Sequence, residues 1–200
     1  MEETFIVETK HLLEYFKNNS DSFQDIKDFM LTLGALCGYA CQAAAREEQK
    51  SYLLVKAAGK NYFFGDGLNY YLLESSNSFI NIMKKKYVSI FKNSDFPDIV
   101  NILKNVSKNI GNKDYKINSF FNPEEKFPYY MKIWKNIIDL VKKSSNKPEG
   151  WPVALSLTLD FYMNFFLLCF GGKELFLLFP SIIENAIYIS KMIEDDGITK

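Results

Sequence analysis

Apolar side chains recur every three to four residues along most of this chain, and that recurrence predicts a series of helices with one short interruption. Residues 4–18 place Phe5, Leu12, Leu13 and Phe16 on one side of an amphipathic helix. Asp21 or Ser22 can cap a longer helix reaching about residue 50. Its apolar positions Ile26, Phe29, Met30, Leu33, Cys37, Ala40, Cys41 and Ala44 stay close to the helical period. Gly34 and Gly38 add a small-residue patch that lets another backbone approach closely, either inside the core or across a seam between two copies.

The period then shortens. Residues 51–57 (SYLLVKA) and 61–64 (NYFF), joined by Ala58-Gly59-Lys60, read as a hairpin. Residues 68–74 resume as a strand or a helix, and 76–92 as a helix ending in lysines. Pro97 suits the first turn of a helix running to Asn109. Residues 111–127 are polar and the least structured. Helical spacing returns over 128–143, where Tyr130, Ile133, Trp134, Ile137, Ile138 and Val141 form the buried side. Residues 144–150 (SSNKPEG) read as a linker. Pro152 starts an apolar helix that Gly171-Gly172 stops, and residues 174–194 form a last helical region interrupted at Pro180. The expected fold is α+β and predominantly α-helical. It is read as one domain over 1–200, with a helix-helix-hairpin-helix part at 1–110, a loop at 111–127 and a helical part at 128–200.

Composition supports a folded chain with a large core, since 48 % of residues are apolar and 16 % aromatic. The net charge is zero but unevenly spread: residues 1–50 carry 5 basic and 9 acidic groups, 51–150 carry 16 and 9, and 151–200 carry 3 and 6. Arg46 is the only arginine, so bidentate recognition of phosphate or guanine has almost nothing to work with, and nucleic acid is not an expected partner. The N-terminal residues MEETF are acidic and lack the basic-then-apolar pattern of a secretory signal. Three cysteines, Cys37, Cys41 and Cys169, do not suggest a disulfide framework. A cytoplasmic protein is the expectation, and the abundance of Lys, Asn, Ile, Phe and Tyr suits an AT-rich bacterial genome.

Residues 152–170 (PVALSLTLDFYMNFFLLCF) are long enough to span a bilayer. Asp160 at the centre costs roughly 2.5–3.5 kcal/mol on insertion, Asn164 follows one turn later, and no lysine cluster flanks the start. A core helix rather than a membrane span, and no membrane partner, are therefore expected.

Most catalytic signatures are absent: no phosphate-binding glycine loop, no dinucleotide fingerprint, no His-Glu-x-x-His and no Gly-x-Ser-x-Gly. The single histidine, His11, excludes a two-histidine metal site within the chain. Cys37 and Cys41 share a helical face but lack the further ligands that zinc requires, so no metal and no cofactor are expected. The one motif-like stretch is NYFFGDGLNYYLL. There Asp66 is expected to cap a helix between Gly65 and Gly67, or to form a polar site with Asn69 and Arg46. Asp160 and Asn164 are the second polar pair, and being buried they need partners. Candidate ligand contacts are accordingly Arg46, Asp66, Asn69, Asp160 and Asn164.

Three functions remain open. First comes a non-enzymatic interaction or regulatory module whose partner is a second copy of the chain, a homodimer. The second is a small-ligand-binding protein with its polar contacts at the turn of residues 65–69. The third is an enzyme using carboxylates, lysine and tyrosine.

Overall fold

The computed structural model describes residues 6–92, 94–119 and 121–194. Among the described residues, eight helices and one hairpin follow in the order α1 (Lys10–Asn18), α2 (Ile26–Glu47), β1 (Leu53–Ala57), β2 (Lys60–Phe64), α3 (Asp66–Asn69), α4 (Phe79–Ile90), α5 (Ile99–Asn109), α6 (Pro123–Ser144), α7 (Gly150–Phe170) and α8 (Gly172–Ile189). The fold is predominantly helical with a two-stranded antiparallel sheet.

At its centre runs α2, with 16 of its 22 residues buried. A helix apolar all round belongs in a core, and α7 and α8 pack along it. Its cap is Asp25, whose carboxylate accepts from the Asp28 amide at 2.8 Å, so the helix begins after a short 3₁₀ turn at Ser20–Ser22 and not at Asp21 or Ser22. The small-residue patch is used inside the chain. A Cβ on Gly38 would sit 1.9 Å from the Ala186 carbonyl oxygen of α8, and one on Gly34 would sit 2.9 Å from that of Ile182. This close approach leaves no seam on α2 for a second copy, and the homodimer expectation loses that support.

The hairpin register pairs Leu53 with Phe64 and Ala57 with Lys60. Positive φ at both Ala58 and Gly59 gives the mirror-image two-residue turn that matches strand twist. On its other edge β2 meets the chain just after α8, where the Phe63 amide donates to the Lys191 carbonyl at 2.7 Å and Tyr62 bridges Met192. Gln42 of α2 donates to the Ser190 and Met192 carbonyls of the same segment.

Several boundaries differ from the sequence expectation. The first helix begins at Lys10, and Phe5 lies outside the described residues. Residues 68–74 are helical: α3 runs into a five-residue π-turn, Tyr70–Glu74. Pro97 precedes α5, which Asp98 caps. The least structured segment ends earlier than expected, because Asn122 accepts from the Glu124 and Glu125 amides and starts α6 at Pro123. Pro128 and Pro180 both lie inside continuous helices. Each removes one backbone hydrogen bond, yet Phe127 and Tyr130 in α6, and Phe179 and Ser181 in α8, stay buried, and that packing holds the helices together.

Candidate functional site

In the middle of α7, Asp160 and Asn164 stand one turn apart on the side that faces α4. There they meet Lys86, whose ammonium lies 3.0 Å from Asp160 Oδ1 and 2.8 Å from Asn164 Oδ1. Lys86 is buried at 8 % exposure, while a third of the Asp160 side chain remains accessible. Lysine reaches this depth because its stem packs among apolar neighbours and its charge is matched at the tip.

The Asp160–Lys86 pair lines a cleft of about 1100 Å³, slightly larger than most small-ligand sites, which run roughly 300–1,000 Å³. From α4 come Ile82, Lys85 and Ser89; from α7, Val153 and Leu157. Tyr70 and Tyr71 of the π-turn, the loop Ser75-Ser76-Asn77-Ser78, and Lys147 and Glu149 ahead of α7 also line it. The loop is fixed by Asn81, which donates to the Ser75 carbonyl at 2.8 Å, and by Ser78, which caps α4. Val7 also lines the cleft, held by the adjacent Glu8 amide donating to the Ser144 carbonyl at 2.9 Å.

Single π-turns within helices often mark functional sites, and this one is braced from beneath. The Tyr71 hydroxyl donates to Glu48, Lys50 lies 3.3 Å from the same carboxylate, and the Lys50 ammonium sits 4.3 Å above the Tyr70 ring. Burial, reinforced by Glu48, raises the Tyr71 phenol well above its ordinary value. Gly67 allows the bracing, since a Cβ there would meet the Lys50 stem at 2.5 Å.

Of the five residues expected to contact a ligand, Asp160 and Asn164 come together on Lys86. Asn164, expected to be buried, is exposed and stands outside the cleft lining proper. The other three do not join them. Arg46 is exposed on the last turn of α2, and no ion pair links it to Asp66 among the described residues. Asn69 is half-buried, its amide donating to the Gly65 carbonyl at 3.1 Å. Nor is Asp66 a cap. Gly65 takes the cap position at φ +145°, where a Cβ would also meet the Ser51 carbonyl oxygen at 2.7 Å. That puts the Asp66 carboxylate one residue too far along to receive an amide. Asp66→Ala is therefore expected to change stability by no more than about 0.5 kcal/mol, the weak interaction of an exposed acid with a helix start. A larger drop in the urea midpoint would restore a capping or site role to Asp66.

Sequence reasoning missed Lys86, although the signal was present. The buried positions of α4 are Phe79, Ile80, Met83, Lys86 and Tyr87, so the third lysine of the run 84–86 falls on the apolar face.

A second polar cluster ties α6, β2 and α8 together. Glu124 accepts from Tyr62 at 2.7 Å, Tyr188 at 2.9 Å and Lys60 at 3.0 Å. Beside it the Tyr115 hydroxyl donates to Glu184, and the Tyr115 and Tyr188 rings stack at 5.5 Å. Cys37 and Cys41 are buried, and burial pushes both thiols up, away from nucleophilic chemistry. Among the described residues no three His, Cys, Asp or Glu side chains group as metal ligands. No protein family, curated protein or solved structure matches the chain.

Proposed function

We propose that this chain is a non-enzymatic small-ligand-binding protein, that the cleft between α4, α7 and the π-turn is its site, and that its ligand is an amphipathic organic anion. The observation that carries the reading is the composition of the cleft wall. Lys85 and the Asp160-tethered Lys86 stand with serine hydroxyls on the polar side. Ile82, Val153 and Leu157 add apolar lining, and the lysines Lys85, Lys86 and Lys147 outnumber the acids Glu149 and Asp160. Such a wall suits an acidic head and a short apolar body. Binding is favoured over catalysis because Lys86 is committed to two acceptors, and the cleft lining contains no histidine or cysteine.

Calorimetric titration with decyl phosphate and decanoate, below their micelle concentrations, tests the proposal. Saturable binding is expected, and Lys85→Glu is expected to weaken it on the order of tenfold, the cost of reversing one charge facing an anion. Asp66→Ala, outside the cleft, should leave the affinity as it is. Binding that survives Lys85→Glu, or that is lost in Asp66→Ala, overturns the assignment of the cleft.

A further inference from the structure

The outer face of α7 is apolar and uncovered. Leu157, Phe161, Phe165 and Leu168 lie on one side of the helix at intervals of three or four residues, and all are exposed, Leu168 at 86 %. Across the Gly171-Gly172 corner the patch continues through Phe170 to Phe176 and Leu177 on α8. The α7 part alone spans eleven rises, about 17 Å. Contiguous apolar patches of this kind on a water-exposed surface mark something that covers them.

The charges around the patch select what does. Lys85 of α4 shares the cleft edge with Leu157. On the other flank, Tyr162 of α7 donates to the Leu13 carbonyl at 3.2 Å, which brings the face of α1 carrying Leu13 and Lys17 alongside. At the corner Lys173 follows Gly172, and Lys92 follows Phe91, whose ring lies 5.4 Å from that of Phe176. Among the described residues, none of these four lysines has an ion-pair partner. Of the nearby acids, Asp160 is held by Lys86 and Glu174 by Lys27, while Glu14 beside Leu13 and Asp95 beside Tyr87 offset two of the four lysines and leave the rim basic. A two-fold pairing of this face with itself would set one lysine rim against another. Phenylalanine and leucine inside a lysine rim instead match the face of a helix lying in an anionic lipid surface.

From this arrangement we infer that α7 docks the protein on an anionic membrane surface, lying in the plane of the headgroups with Phe161, Phe165 and Leu168 in the acyl boundary. The helix has the length and mean hydropathy of a span, but its opposite face is spent on the core. Leu155, Leu159, Met163 and Phe166 are fully buried, and Lys86 holds Asp160 within the fold. The helix therefore lies on the bilayer and does not cross it.

Co-sedimentation with vesicles decides the matter. The full chain should pellet with vesicles of equal parts phosphatidylcholine and phosphatidylglycerol, less so in high salt, and weakly with phosphatidylcholine alone. Phe161→Ser/Phe165→Ser is expected to lower partitioning roughly tenfold or more, because two apolar side chains leave the lipid. Both positions are about half exposed, at 53 % and 51 %, so the fold should persist; Leu168→Ser carries the same expectation with still less risk. Lys17→Glu/Lys173→Glu should weaken binding to the anionic vesicles only. A wild-type chain that stays in the supernatant with both vesicle types overturns the proposal. So does a particle of twice the 23.2 kDa chain mass in light scattering that Phe161→Ser/Phe165→Ser converts to one chain mass, which would give the face to a second copy.

Discussion

Gly38→Ala is expected to destabilise the fold by about 3 kcal/mol or more, an overpacking cost at the high end for one added methyl. The added Cβ would fall 1.9 Å from the Ala186 carbonyl oxygen, 2.7 Å from its carbon and 2.9 Å from its Cα. All three are backbone atoms, so no rotamer change relieves the contact and α2 and α8 must separate. Separation is costly here. Gly34, one turn earlier, also approaches α8, with a Cβ there 2.9 Å from the Ile182 carbonyl oxygen, and Gln42 and Asn185 make hydrogen bonds that depend on the same spacing. Alanine is the better helix former by about 1 kcal/mol, so the two effects oppose each other, and the clash is the larger. Urea denaturation should show the midpoint falling with little change in slope. An unchanged or raised midpoint would mean that the two helices have room to give.

Gly38 also shows how far the sequence could be read. The period of α2, its apolar breadth and the close-approach patch were all legible, because they are local properties of one helix. Whether the approaching backbone came from the same chain or a second copy was not, since a pattern names a face and never its partner. At Asp66 the reading failed by one residue. Either Gly65 or Asp66 can precede the first helical turn, and the choice fell to Gly65 because only glycine tolerates φ +145° against the Ser51 carbonyl. Pro180 argued for a break on local grounds, and burial on both sides of it overrode that; Pro128, read as a helix start, lies instead inside α6. Asp160 and Asn164 were legible as a pair in need of a partner. The cleft that Asp160 borders was not, because its walls come from segments near residues 7, 70–78, 82–89 and 147–160, which only the packing of α4 on α7 brings together.

Glu124→Ala should cost about 3 kcal/mol, because it takes a charged acceptor away from two buried hydroxyls. The Glu124 side chain is 7 % exposed and receives Tyr62, Tyr188 and Lys60. Tyr188 is fully buried and Tyr62 nearly so, and removing the carboxylate leaves Tyr188 a longer, 3.4 Å hydrogen bond to the Asn109 carbonyl. The cluster also has a pH signature. Burial alone would raise the Glu124 carboxyl, but the hydrogen bonds from Tyr62, Lys60 and Tyr188, with the charge of Lys60, outweigh it and leave the group below its ordinary 4.5. As pH falls, the unfolded chain therefore takes up its proton first. The stabilisation is fully present above 4.5 and fades as pH drops through the lower folded value. Glu124→Gln keeps the shape and one acceptor but cannot titrate. The stability gap between wild type and Glu124→Gln should accordingly be largest near about pH 7 and narrow towards about pH 3. A gap of the same size at both would show that Glu124 contributes through packing alone.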